Sequence, residues 1–164
     1  MKKYWFLGAM ALMLTITSCK KKAKNNDKNN TPAFEVYKDG TKVNNNETFV
    51  FDTTGTAATL NLVIKNTSSE TIHLKTHLVN DSSGNNGNFM EFCFGNCYLN
   101  MQPNVSYPVG STLDVTAGSK TAGDAVHFIN HYGSEVSYSI EIYTVDEAGN
   151  KIGDPFTFIY KYQP

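Results

Sequence analysis

The sequence predicts an all-β protein, an antiparallel β-sandwich over residues 32–164 that follows a short apolar leader and a basic spacer. Three observations predict it. About nine short runs alternate apolar and polar residues with a period of two and are rich in β-branched and aromatic side chains. Clusters of Asn, Asp, Ser and Gly separate these runs at the spacing of sheet turns. No stretch keeps a convincing helical period.

The chain opens on Met1-Lys2-Lys3, followed by an apolar stretch from Tyr4 to Ile16. A membrane-spanning helix needs roughly 20 apolar residues, so this stretch is too short to span. A positive start followed by a short apolar run is the pattern of a signal peptide over residues 1–18. Ile16-Thr17-Ser18-Cys19 resembles the lipobox of bacterial lipoproteins: an aliphatic residue, two small ones, then cysteine. The resemblance implies cleavage before Cys19 and a diacylglycerol thioether on its sulfur. It makes the membrane a partner through the lipid, since two or more acyl chains give a stable anchor. Residues 20–31 hold five Lys, four Asn and one Asp, a charge of +4, with no apolar side chain larger than Ala23. Such a segment buries too little surface to offset its ordering entropy. Residues 19–31 are therefore expected to be a disordered tether.

The run Ser18-Cys19-Lys20-Lys21-Lys22 and the Asn- and Lys-rich composition resemble lipoproteins of Bacteroidetes-type bacteria. Members sent to the cell surface often carry an acidic stretch after the cysteine. This tether is basic, so the resemblance implies the outer membrane, with the periplasmic face favoured.

The predicted strands follow in order: Ala33–Tyr37, ending at the turn pair Asp39-Gly40, then Thr48–Phe51 and Ala58–Lys65. In the last of these Leu60, Leu62 and Ile64 share one face, with Val63 the exception. Thr71–Val79 sets Ile72, Leu74, Thr76 and Leu78 against His73, Lys75 and His77. Phe89–Phe94, Thr112–Thr116, Ala125–His131 and Ser137–Val145 come next. In the closing run Phe156, Phe158, Tyr160 and Tyr162 line one face, opposite Thr157 and Lys161. This pattern resembles the immunoglobulin-like modules of secreted bacterial proteins, which implies an immunoglobulin-like sandwich. There is no Cys-Trp-Cys pattern, and the sole Trp lies in the leader.

Residues 32–164 are one domain by length. They carry seven lysines against fourteen acidic residues, a net charge of −7. Nucleic-acid binding wants clustered positive charge, so it is excluded as the expected role. The chain has no arginine, which removes bidentate clamps for carboxylate or phosphate.

With Cys19 assigned to lipid, Cys93 and Cys97 remain in a chain bound for an oxidising compartment. If Phe94-Gly95-Asn96 forms a hairpin loop, the two cysteines oppose each other at a spacing that suits a disulfide. A redox pair would want two intervening residues at a helix N-terminus, and here there are three in a strand setting. The histidines form two pairs, His73/His77 and His127/His131. On a strand, four residues span about 13 Å, so neither pair chelates alone. A metal site would need one histidine from each strand and a third ligand such as Glu141 or Asp124.

Asp114, Asp124, Glu135, Glu141, Asp146 and Glu147 are the carboxylates available for a glycosidase pair, but no spacing singles out two of them. No Gly-x-Ser-x-Gly elbow occurs. Asp81-Ser82-Ser83-Gly84 and Asp146 to Asn150 lack the ligand spacing of a calcium loop. Asp52-Thr53-Thr54 resembles a short O-glycosylation signal of Bacteroidetes-type bacteria, which implies Thr53 as an acceptor. Tyr98, Tyr107, Tyr132 and Tyr143 read as sheet packing, with contact to sugars or proteins as the alternative.

No catalytic residue and no cofactor are expected. The expected role is a lipid-anchored, non-enzymatic module that binds a protein or glycan. The alternative is capture of a metal or small ligand by the two histidine pairs.

Overall fold

The computed structural model describes residues 33–164. The leader, Cys19 and the tether lie outside the described residues. The strands are β1 (Phe34–Lys38), β2 (Thr41–Lys42), β3 (Glu47–Phe51), β4 (Leu60–Asn61), β5 (Val63–Asn66) and β6 (Ile72–Asp81). They continue with β7 (Met90–Phe94), β8 (Asn96–Tyr98), β9 (Leu113–Val115), β10 (Val126–Asn130), β11 (Val136–Val145) and β12 (Lys151–Tyr162). A 3-10 turn at Gly55–Ala58 precedes β4, and no α-helix occurs among the described residues.

Every run predicted from alternation forms a strand. The run around Val63 splits into β4 and β5, and its alternation holds across the split. Leu60, Leu62 and Ile64 are buried, while Val63 faces outward, partly exposed. β2 and β8 are two and three residues long, too short for a period to be visible. β12 begins five residues before Phe156, because Gly153 and Pro155 hide its start in the sequence.

The five-stranded sheet has the order β3-β12-β11-β6-β9. A four-stranded sheet, β4-β10-β7-β8, and a three-stranded one, β2-β1-β5, make the opposing layer. The latter two join where β4 runs on into β5: Leu62 N–H donates to the Val126 carbonyl and Thr121 N–H to the Ile64 carbonyl, both at 2.9 Å. Pairing is antiparallel except between β3 and β12, which is parallel. The exception arises because the chain reverses twice between β1 and β3, at Asp39-Gly40 and again after Val43. β3 thus runs in the direction of β1 while crossing to the other layer.

The core lies between the layers. Phe156, Phe158, Tyr160 and Tyr162 are all buried, as their alternation predicts, facing Val36, Leu60, Ile64, Phe92 and Phe128. Phe128 meets Phe158 edge-on at 5.1 Å between ring centroids. Each such side chain contributes roughly 1.5–3 kcal/mol on burial.

The registers also define two ends. Ala33, the β5–β6 connection and the β11–β12 turn share one end. Thr53, the β6–β7 loop, the β10–β11 connection and the C-terminus lie at the other.

Candidate functional site

The outer face of the five-stranded sheet carries a cluster of interacting polar side chains. Strand alternation sends Ile72, Leu74, Thr76 and Leu78 of β6 inward, which leaves His73, Lys75 and His77 outside. On β11 the same rule leaves Ser137, Ser139, Glu141 and Tyr143 outside, and the register sets Glu141 between His77 and Thr157.

Glu141 is the centre of this group and is only 9% exposed. Its Oε1 accepts from Lys151 Nζ at 2.6 Å, and its Oε2 lies 3.2 Å from His77 Nε2. The Tyr143 ring packs edge-on against the His77 ring at 5.4 Å, and Lys151 Nζ stands 5.1 Å from the Tyr143 centroid. Tyr143 donates its hydroxyl proton to Ser106 Oγ at 2.7 Å, and Lys75 Nζ donates to the Pro108 carbonyl at 2.9 Å. These bonds dock the Ser106–Pro108 segment on the sheet. Burial pushes the His77 imidazole below its usual range and the Lys151 charge adds to that, while the Glu141 carboxylate opposes it. Glu141 is thus nearly buried with one partner on each carboxylate oxygen, Lys151 on Oε1 and His77 on Oε2.

His73 Nδ1 lies 2.8 Å from Asp114 Oδ1 on the neighbouring β9. A hydrogen bond from Thr112 and the one from His73 hold the Asp114 carboxyl below its usual range. His127 and His131 lie on the outer face of the other layer. His127 Nδ1 contacts the Asp124 carbonyl at 2.9 Å, and His131 Nε2 is 2.9 Å from Glu91 Oε2. The metal alternative required one histidine from each pair to meet across neighbouring strands. It is not met: β6 and β10 belong to different layers and both pairs point away from the core, so the whole sandwich separates them. Among the described residues no three His, Cys, Asp or Glu side chains come together as a metal site.

Glu135, Asp146 and Asp81 are engaged locally. Glu135 pairs with Lys161 at 3.5 Å. Asp146 accepts from the Ala148 and Asn150 amides and from the Asn150 side chain, and these bonds hold its carboxyl below the usual range. Asp81 likewise accepts from the Ser83 and Gly87 amides. Both loops are turns capped by their own aspartate. Glu147 stands exposed on the β11–β12 turn.

Cys93 and Cys97 are a cross-strand pair joined by a disulfide, with Cα atoms 4.0 Å apart around Gly95. Of the four tyrosines, Tyr107 is buried and packs edge-on against Phe92, while Tyr98 stacks on Phe92 and accepts from the Val109 amide. Tyr132 stacks on Phe89. Thr53 is exposed in the loop after β3, at the end opposite Ala33.

At the Ala33 end a cleft of about 450 Å³ opens between the β5–β6 loop and the β11–β12 turn, lined in part by Glu70, His73, Thr144, Asp146 and Ile152. Lys151, the partner of Glu141, lies upstream of the alternation that marks β12, so the pair is not visible in the sequence.

No family model matches the chain, and no curated protein matches it. Among solved structures it is similar to the N-terminal domain of PorA, with a TM-score of 0.51 and 18% identity over 79% of this chain and 97% of that one. It also aligns with the class 5 fimbriae chaperone CfaA at a TM-score of 0.43 and 10% identity, over 80% of this chain and 56% of that one. A third alignment is with a PapD-like domain of human CEP192 at a TM-score of 0.37 and 13% identity, over 96% of this chain and 97% of that one. At these identities the likeness to the PorA domain speaks to fold alone, and with the strand order above it identifies the chain as an immunoglobulin-like β-sandwich.

Proposed function

We propose that the chain is a lipid-anchored envelope protein, held to the outer membrane through Cys19, whose sandwich is a non-enzymatic module binding a protein or glycan. The observation that carries this reading is the outer face of the five-stranded sheet. Beside the self-contained Glu141 cluster it presents short side chains, Thr48, Val50, Ser137, Ser139, Thr157 and Ile159, on a rigid two-layer scaffold. Such a face offers shape and backbone to a macromolecule. Four of the carboxylates named as catalytic candidates, Asp114, Glu135, Glu141 and Asp146, are engaged by neighbouring side chains or amides. The charge of −7 and the absence of arginine direct the search away from nucleic acid. The periplasmic side is favoured by the basic segment after Cys19. Thr53, exposed at the far end from Ala33, is accessible to a glycosyl carrier.

Two measurements test the reading. Mass spectrometry of the mature protein should find the diacylglyceryl mass on Cys19, and Cys19→Ala should release the chain from the membrane fraction. A photo-crosslinking residue at Ser139 or Thr157 should capture a partner in cells, whereas one on the buried side of β11 should not. A membrane fraction unchanged by Cys19→Ala would overturn the anchor. Equal labelling from both sides of the sheet would overturn the face.

A further inference from the structure

Apart from the seam between β4 and β5, four strands end a sheet among the described residues: β2, β3, β8 and β9. Three of them are blunted as edge strands usually are. β2 has two residues and carries Lys42, β8 has three and is stapled by the disulfide, and β9 has three and carries Asp114. β3 is different. It runs five residues, Glu47-Thr48-Phe49-Val50-Phe51, with no lysine, no proline and no break in its register.

Its free edge can be read from one bond. The Phe51 carbonyl accepts from the Gln163 amide at 2.9 Å. Along a strand, alternate residues turn their backbone groups to opposite sides. Glu47, Phe49 and Phe51 therefore address β12, while Thr48 and Val50 direct their N–H and C=O away from the sheet. Both side chains are exposed, Val50 by 60%.

We propose that β3 is a homodimer interface, in which two copies pair β3 to β3 antiparallel and join their sheets into one of ten strands. The occupant is a second copy because the segment is complementary to itself. With Phe49 at the two-fold axis, Thr48 lies opposite Val50 of the second copy and Val50 opposite its Thr48. These are the two residues with free backbone groups, so each pair exchanges two hydrogen bonds. The same register sets Glu47 opposite Phe51 and Asp52 opposite Asn46, so no two carboxylates face each other despite the net charge of −7. Phe49 and Phe51, only partly buried in one copy, gain aromatic neighbours across the axis. The interface is isologous, as a two-fold dimer requires. The axis stands normal to the sheet, which brings both Ala33 residues to the same height, so both chains can reach one surface.

The test is sedimentation equilibrium on the chain from residue 19 onward, carrying Cys19→Ser so that neither lipid nor an extra thiol joins copies. A reversible dimer is expected, tightening as salt screens the like charges. Val50→Pro removes an outward N–H that the fold does not use, and Thr48→Lys with Val50→Lys places charge on exposed edge positions. Each variant should sediment as a monomer while keeping its circular dichroism and thermal transition. Thr48→Cys with Val50→Cys should oxidise to a covalent dimer. A monomer at all concentrations up to about 1 mM, or a dimer that survives the folded Lys variant, overturns the proposal. So does a monomer that pairs its β3 edge with a peptide of a different protein.

Discussion

The Tyr160 hydroxyl donates to the Ala58 carbonyl at 2.6 Å, joining residues 102 positions apart in the chain. The same oxygen accepts from the Asn130 amide at 3.3 Å, so one phenol on β12 ties together the 3-10 turn and the end of β10. Tyr160→Phe keeps the ring and strands both partners in a buried setting. An orphaned buried polar group costs about 1–3 kcal/mol, and urea unfolding should show a loss of that size. A change within error would mean that water reaches the Ala58 carbonyl.

Burial pushes the phenols of Tyr138 and Tyr160 up to about 12. A pKa raised on folding stabilises the native state below the unfolded value, near 10. That contribution is lost as pH rises through the folded value. Ultraviolet titration should show Tyr138 and Tyr160 among the late-ionising phenols, and Tyr138→Phe and Tyr160→Phe should each remove one phenol from the late phase. If the late phase is undiminished by both substitutions, other residues produce it.

His77 shows the opposite sign. Its pKa is lowered on folding, chiefly by burial, so the unfolded chain binds the proton more readily. Stability should fall as pH drops below about 6.5, the unfolded value, and through the folded one. His77→Gln should flatten that part of the profile, measured by urea midpoints across the acid range. An unchanged slope would place the acid sensitivity elsewhere.

Gly87 has φ +69, and a Cβ there would come 2.0 Å from the Met101 carbonyl oxygen. Its own carbonyl accepts from both Met90 and Met101. Gly87→Ala must move this backbone and should cost more than about 2 kcal/mol, combining αL strain with steric overlap. Gly133→Ala, with open space around its Cβ and no positive φ, should be close to neutral. Equal effects at the two sites in thermal unfolding would refute the packing described around Met101.

Cys93→Ser with Cys97→Ser opens a loop of only a few residues, for which chain entropy gives roughly 2 kcal/mol. The sandwich should stay folded with a Tm lowered by several degrees. Loss of cooperative unfolding would show that the hairpin tip does more than close a short loop.

Alternation made the strands legible, because burying one face of a sheet imposes a period of two on the chain. It marked Leu60, Leu62 and Ile64 as well as the aromatic face of β12, all of which are buried. The Cys93–Cys97 staple was legible from a turn residue between two cysteines. β2 and β8 were not, since two or three residues cannot display a period. The parallel pairing of β3 with β12 was not legible either, because it depends on where the chain changes layers.

The site divides along the same line. Outward residues could be named from the pattern, but their partners could not. His77 and His127 look equivalent in the sequence, and the strand order places them on opposite outer faces. Nothing in the strand pattern gives Glu141 a partner, yet the start of β12 brings the Lys151 ammonium to 2.6 Å from its carboxylate. The sequence by itself determined which side of each strand is apolar, since that follows from transfer of side chains out of water. Only the tertiary structure decided which strands become neighbours. That choice rests on the summed packing and hydrogen bonding of residues far apart in the chain, and it alone leaves the β3 edge unpaired.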